Sequence, residues 1–198
     1  MGAAISNQEV QIFGLTQDTK YCIMKDLRHY INLVENADTF VYHGGSYAGG
    51  DYNPHMHGEP GSLRPLGKGL YAAATPGHAQ LYVKYAGDSG KVTKFKVDPN
   101  AVIYPGGALA WRALSPDEQT KWRAKSAEIQ KAFEQAGLVR FDTFRDEYRH
   151  WQDALLHNAT DQMRQVLVSA GVDGARTFLP NDLIEYVFYN TKVLHPVD

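Results

Sequence analysis

Glu185 is a carboxylate in the middle of an apolar, strand-like run. The residues around it, 183–188, are otherwise aliphatic or aromatic. Burying a carboxylate in such a strand is costly unless the group is paired or does chemistry. A strand-borne carboxylate can hold a sugar hydroxyl and stabilise an oxocarbenium-like transition state, as glycosidase carboxylates do. The structural alternative is an outward-facing position on an edge strand.

Two tyrosines, Tyr71 and Tyr82, lie eleven residues apart in the chain. Tyr71 ends a predicted strand and Tyr82 belongs to the helix predicted after it, so the turn between them could bring both rings across a slot. Aromatic faces attract positive charge, and the nicotinamide ring of oxidised NAD is a flat cation that such a slot would accept. The alternative is that both tyrosines are half-buried packing residues.

His43 ends a β-branched and aromatic segment and is followed by Gly44 and Gly45. The imidazole could hydrogen-bond a ribose hydroxyl. The bare backbone at Gly44 would let the amide of a ligand approach and pair with main-chain N–H and C=O groups. The alternative is a core or surface histidine beside a turn.

These segments, in this order, resemble the His-Tyr-Glu signature of ADP-ribosyltransferases, the branch that includes diphtheria toxin and the poly-ADP-ribose polymerases. The polymerases carry His-Gly, then Gly-Lys-Gly-(Ile/Leu)-Tyr-Phe-Ala with a second tyrosine eleven residues on, and finally a Glu-Tyr-(Ile/Val)-Val-Tyr strand. The corresponding segments here are 42–44, 67–73 with Tyr82, and 184–190. Residues 105–170 carry no part of the resemblance.

The resemblance implies an enzyme that uses NAD as a substrate and needs no metal. It implies His43, Tyr71 and Glu185 as catalytic residues. His43 would hold the adenosine ribose, the two tyrosines would sandwich the nicotinamide, and Glu185 would orient the nicotinamide ribose. The NAD-binding set would be His43, Gly44, Gly45, Tyr71, Ala72, Tyr82 and Glu185.

The chain departs from the family pattern at two places. His78 and Ala79 stand where the polymerases have a Lys-Ser pair, so the serine hydroxyl that would bind the carboxamide is missing. Leu183 stands where the arginine-modifying branch has Glu or Gln, on the same strand face as Glu185, which argues against arginine as acceptor. No long helical regulatory domain lies upstream, which disfavours polymer elongation.

The function expected from these residues is mono-ADP-ribosyl transfer to an unknown acceptor, with a protein favoured. Three alternatives stay open. One is an NAD glycohydrolase, with water as the acceptor. The others are a non-catalytic module that binds NAD or ADP-ribose, and a structural protein with a chance pattern.

Strands are predicted near both ends of the chain with helices between them, which favours a single α+β domain over residues 1–198. Residues 1–20 would form an N-terminal arm and 111–170 a helical insertion. The resemblance implies two small, mostly antiparallel sheets around an NAD cleft. The predicted strands are 39–43, 69–73, 92–97, 101–104, 175–178 and 183–189, with 193–194 extending the last one past a bulge. The predicted helices are 21–36, 75–86, one starting at 115 and one near 150–169.

Composition excludes several classes of protein. The net charge is −2 and the chain has one cysteine, which predicts neither a strong attraction to nucleic acid nor a disulfide framework. No apolar run is long enough to span a bilayer. A metal site at His55, His57 and Glu59 would need a further ligand and is disfavoured.

Gly2 and Ser6 fit the N-myristoylation pattern, which would give weak membrane association. The resemblance is compatible with a bacterial effector secreted into a host cell cytosol, a toxin or a phage protein, and the Gly2 pattern favours an effector that is lipidated inside a eukaryotic host. A cytoplasmic protein without a lipid anchor is the alternative.

Overall fold

The computed structural model describes residues 39–47, 49–50, 66–106, 110–111, 114–138, 160–179 and 183–197. Within these residues the protein is α+β, as predicted, with seven strands in one mixed sheet and three α-helices. The predicted helix at 21–36, the lipidation site at Gly2 and the histidines of 55–59 lie outside the described residues. The strands are β1 (Phe40–Gly45), β2 (Leu70–Ala73), β3 (Lys91–Val97), β4 (Ile103–Pro105), β5 (Gly174–Leu179), β6 (Leu183–Phe188) and β7 (Leu194–Val197). The helices are α1 (Pro76–Val83), α2 (Pro116–Gln135) and α3 (Asp161–Ser169).

The strands follow the order β4-β5-β6-β2-β1-β3-β7, with β4 and β5 parallel and every other neighbouring pair antiparallel. The expectation of two separate sheets is therefore wrong for the described strands. A single ladder pair, Tyr42 of β1 with Ala73 of β2, joins the two halves into one hydrogen-bonded sheet. By contrast, β1 pairs with β3 along its whole length.

The last strand of the sheet is also placed differently from the prediction. Leu194 does not extend β6 past a bulge. A short 3-10 helix, Thr191–Val193, turns the chain, and β7 then pairs with β3 at the far edge of the sheet. The Asn190 side chain caps this turn by accepting a hydrogen bond from the Lys192 N–H at 3.2 Å.

Each face of the sheet carries a buried apolar cluster, because alternate residues of a strand point to opposite faces. On one face Val187 of β6 packs with residues of α2 and α3, among them Phe133 and Leu167. On the other face Ile184 and Phe188 pack with residues of β1, β2 and β3. Strand β6 therefore lies in the interior, between two clusters.

Two helices begin where the sequence predicts. Thr75 caps α1 by accepting a hydrogen bond from the His78 N–H, and Pro76 is the first helical residue. Ser115 and Glu118 form a capping box at the start of α2. Helix α1 ends earlier than predicted, at Val83, and continues as a 3-10 helix, Lys84–Ser89. In the part of the chain that the structure describes, no helix is both long and apolar enough to cross a membrane.

Candidate functional site

The backbone of Gly44 faces β2 rather than β3. Val97 N–H donates to the Thr39 carbonyl at 2.8 Å, and this pair continues the β1–β3 register. Backbone hydrogen bonds alternate in direction along an antiparallel strand. Odd-numbered residues of β1 therefore bond to β3, and the N–H and C=O of Tyr42 and Gly44 point towards β2.

The ladder between β1 and β2 stops just before Gly44. After Tyr42 and Ala73, the next ladder pair would join Gly44 to Tyr71. The Tyr71 carbonyl instead accepts a hydrogen bond from Nδ1 of His43 at 2.7 Å. A side chain thus bonds to the carbonyl that the Gly44 N–H would meet if the ladder continued. The ladder ends here, and the Gly44 backbone lies one step beyond its last pair, where a ligand amide could pair with it.

His43 is held in one protonation form by this contact. A carbonyl oxygen only accepts, so Nδ1 carries the proton. Burial lowers the pKa of His43 below its ordinary 6.5, and the hydrogen bond to Tyr71 offsets this only in part. The imidazole is therefore neutral at neutral pH and its Nε2 is an acceptor, which suits a hydroxyl donor such as a ribose.

Gly45 leaves the space beside His43 clear. A Cβ added at Gly45 would lie 2.4 Å from Nε2 of His43, too close for the ring to keep its place.

We expect Gly45→Ala to displace the His43 ring and weaken its hydrogen bond to Tyr71. The unfolding free energy should fall by about 0.5–1.5 kcal/mol, the net value of one hydrogen bond. NAD affinity should fall by about tenfold, because one ribose contact is lost. Calorimetric titration with NAD and thermal denaturation measure the two effects. Unchanged NAD affinity would show that Nε2 of His43 does not contact the ligand.

Glu185 is buried in the middle of the sheet, with 8% of its surface exposed. It lies opposite Ala73 of β2 and Thr177 of β5, so an outward position on an edge strand is wrong. Its Oε1 accepts a hydrogen bond from the Tyr82 hydroxyl at 3.4 Å. Burial raises the pKa of Glu185, and the Tyr82 hydrogen bond partly opposes this.

Helix α1 brings Tyr82 to Glu185 by packing directly on β1. A Cβ added at Gly44 would lie 1.9 Å from the Ala79 carbonyl oxygen and 3.3 Å from Cβ of Tyr82, so the helix rests on the bare glycine. Tyr82 is 40% exposed and reaches Glu185, which is 103 residues further along the chain. Gly44, Tyr82 and Glu185 thus form one connected group.

Tyr71 and Ala72 occupy opposite faces of β2. The Tyr71 hydroxyl donates to the Gly67 carbonyl at 2.8 Å and accepts from the Leu66 N–H at 3.3 Å, which holds the chain entering β2. The Tyr71 ring packs against the helix-side cluster. Ala72 is buried in the other cluster and pairs with Tyr186 of β6. The Ala74 N–H donates to the Ile184 carbonyl, so by alternation along the strand the Ala72 backbone also faces β6. The predicted contact of Ala72 with NAD stays a prediction. The predicted sandwich of a nicotinamide between Tyr71 and Tyr82 stays a prediction.

His78 is a site residue to which the sequence gave no role. It is 6% exposed, and its Nε2 lies 3.3 Å from the Tyr82 hydroxyl. The available signal was its position, four residues before Tyr82 and therefore on the same helix face. Burial lowers the pKa of His78, which favours the neutral ring.

Among the residues that the structure describes, no group of three or more His, Cys, Asp or Glu side chains is arranged to hold a metal ion. No protein-family model, no curated protein and no solved structure matches this chain. The function is therefore inferred from the residues and their geometry.

Proposed function

We propose that this chain is a mono-ADP-ribosyltransferase that cleaves NAD, releases nicotinamide and transfers ADP-ribose to an acceptor, with a protein as the favoured acceptor. The observation that carries this proposal is the contact between Tyr82 and Glu185. It links a buried strand carboxylate to the helix that packs on Gly44. Segments that resemble one catalytic signature, but lie far apart in the sequence, thereby meet at one place.

Glu185 acts on the nicotinamide ribose in this proposal. Its carboxylate accepts a hydrogen bond from a ribose hydroxyl and stabilises the positive charge that develops on the sugar as the bond to nicotinamide breaks. The bonding electron pair leaves with nicotinamide, and the acceptor then attacks the anomeric carbon and loses its proton to solvent. A buried carboxylate is effective here because water screens it poorly.

The nicotinamide end of the substrate would bind beside Gly44, where the β1–β2 ladder ends. The N–H and C=O of Gly44 have the complementary groups for a carboxamide, and the ring faces of Tyr71 and Tyr82 suit its cationic ring. Ala79 offers no hydroxyl to the carboxamide, so nicotinamide itself should bind more weakly than it would with serine there. Leu183 shares the strand face of Glu185 and disfavours arginine as acceptor.

We expect the rate of NAD cleavage to fall at acid pH. The ionised form of Glu185 is required, and burial raises its pKa above the ordinary 4.5. In the pH profile of kcat/KM, the midpoint of the acid limb should therefore lie above pH 4.5. Tyr82→Phe removes the hydrogen bond that lowers this pKa, so the midpoint should move further up. A midpoint that moves down in this variant would contradict the assignment of the limb to Glu185.

Incubation of the purified protein with NAD labelled on the adenosine, with and without cell lysate, tests the proposal. Label attached to a macromolecule, together with free nicotinamide, identifies a transferase. Free ADP-ribose without any acceptor identifies a glycohydrolase. Calorimetric NAD binding without turnover identifies a binding module, and the absence of both binding and turnover overturns the proposal.

A further inference from the structure

Three side chains from two elements form a continuous hydrogen-bonded chain. The Tyr82 hydroxyl lies 3.3 Å from Nε2 of His78 and 3.4 Å from Oε1 of Glu185. His78 and Tyr82 lie on α1, whereas Glu185 lies on β6. The ring centroids of His78 and Tyr82 are 5.5 Å apart, so the two side chains are packed together along the helix.

The number of protons on these three side chains fixes which group donates in each hydrogen bond. The Tyr82 hydroxyl has one proton and two neighbours. An ionised carboxylate only accepts, and a hydrogen bond to it is charge-assisted, so the tyrosine proton goes to Glu185. The remaining contact is made only if Nε2 of His78 donates to the tyrosine oxygen. The neutral imidazole must then carry its proton on Nε2.

The other ring nitrogen of His78 leads independently to the same tautomer. Nδ1 is buried and has no hydrogen-bond partner among the described residues. A buried N–H without an acceptor is rarer in folded proteins than an acceptor with an unused lone pair. The proton therefore belongs on Nε2, which has a partner, and Nδ1 keeps the lone pair.

We propose that His78 is a positioning residue that donates from Nε2 to the Tyr82 hydroxyl, so that Tyr82 in turn holds the Glu185 carboxylate in place for the nicotinamide ribose. The catalytic part of this inference rests on the proposed function of Glu185. His78 does not touch the reacting atoms. It sets the orientation of the Tyr82 hydroxyl, and consecutive hydrogen bonds in one direction strengthen one another. His78, which stands where the polymerases have the lysine of their Lys-Ser pair, thereby has a role of its own.

The tautomer is measured on the free protein by nitrogen-15 NMR of labelled histidine, with the His78 signals assigned by their loss in His78→Gln. We expect the Nε2–H form, and we expect Tyr82→Phe to reduce its share because Nε2 loses its partner. His78 found as the Nδ1–H form would overturn the inference. This measurement does not depend on NAD turnover.

Kinetics test the positioning role. His78→Ala should lower kcat for nicotinamide release by about tenfold, the value of one good hydrogen bond, with KM changed by less than about twofold. His78→Gln places an amide N–H near the position of Nε2 and should restore kcat to within about threefold of wild type. A glutamine variant no better than alanine would overturn the positioning role.

The outcomes separate the two proposals. Wild-type protein that neither binds nor cleaves NAD removes the proposed function and the catalytic role of His78 together. An Nδ1–H tautomer, or failure of glutamine to rescue, removes the role of His78 and leaves NAD cleavage by Glu185 standing. An alanine variant that does not fold leaves the decision to the glutamine variant and the tautomer measurement.

Discussion

Replacing Glu185 with glutamine is expected to lower kcat for NAD cleavage by about 10²–10³-fold, the effect of removing one preorganised electrostatic contact to a transition state. Glutamine keeps the shape and an acceptor oxygen for the Tyr82 hydroxyl, which lies 3.4 Å from Oε1 in the native chain. It cannot carry the negative charge that stabilises the developing sugar cation. KM for NAD should change little, because ground-state contacts to the adenosine and the carboxamide remain. Chromatographic measurement of released nicotinamide follows the reaction directly.

The matched control is Glu134→Gln, which makes the same chemical change on the exposed surface of α2. It should leave kcat and KM unchanged. Thermal denaturation of both variants shows whether the fold is retained, and Glu185→Gln should unfold no earlier than wild type because a buried charge is removed. Full activity in Glu185→Gln would end the proposal that this carboxylate stabilises the transition state.

Replacing Gly44 with alanine is expected to damage both stability and NAD binding. The added Cβ would lie 1.9 Å from the Ala79 carbonyl oxygen and 2.8 Å from its carbonyl carbon, which are backbone atoms of α1. A side chain could rotate away, but the helix must move as a body. Overpacking of this kind costs about 1–3 kcal/mol of unfolding free energy. The displaced helix would also carry Tyr82 away from Glu185, so NAD turnover should fall more than stability alone explains.

Gly77→Ala is the matched control for this prediction. Gly77 lies on the same helix, and a Cβ added there meets nothing within 4 Å. Alanine is the better helix former, so stability should stay the same or rise by up to about 1 kcal/mol. Chemical denaturation of the two variants gives the comparison. A Gly44→Ala protein as stable and active as Gly77→Ala would show that the contact between β1 and α1 is looser than the structure indicates.

The parts of the fold that could be predicted from the sequence are those determined by residues close together in the chain. Alternating residues at 92–97 predicted β3, which the structure places at Lys91–Val97. Thr75 with Pro76, and Ser115 with Pro116, predicted the starts of α1 and α2, because capping depends on neighbours within one turn. Glu185 also stood out locally, as a charge within an apolar strand.

The parts that could not be predicted depend on contacts between distant segments. The strand pattern at 193–197 does not reveal that β7 pairs with β3 instead of extending β6. The β1–β2 ladder ends where the His43 side chain reaches the Tyr71 carbonyl, a contact that no spacing in the sequence encodes. The spacing of His78 and Tyr82 places them on one helix face, but the role proposed for His78 also depends on Glu185, more than 100 residues further along the chain.

The joining of β2 to β6 makes the candidate site a late product of folding. The Tyr82–Glu185 contact spans 103 residues, and all three described α-helices lie in the chain between β2 and β6. Such a high contact order slows folding, since long loops must close before these contacts form. A nascent chain that ends before β6 holds His43, Tyr71 and Tyr82 but lacks Glu185. Under the proposed function, two fragments divided between α2 and α3 should each be inert and should regain NAD cleavage only on association.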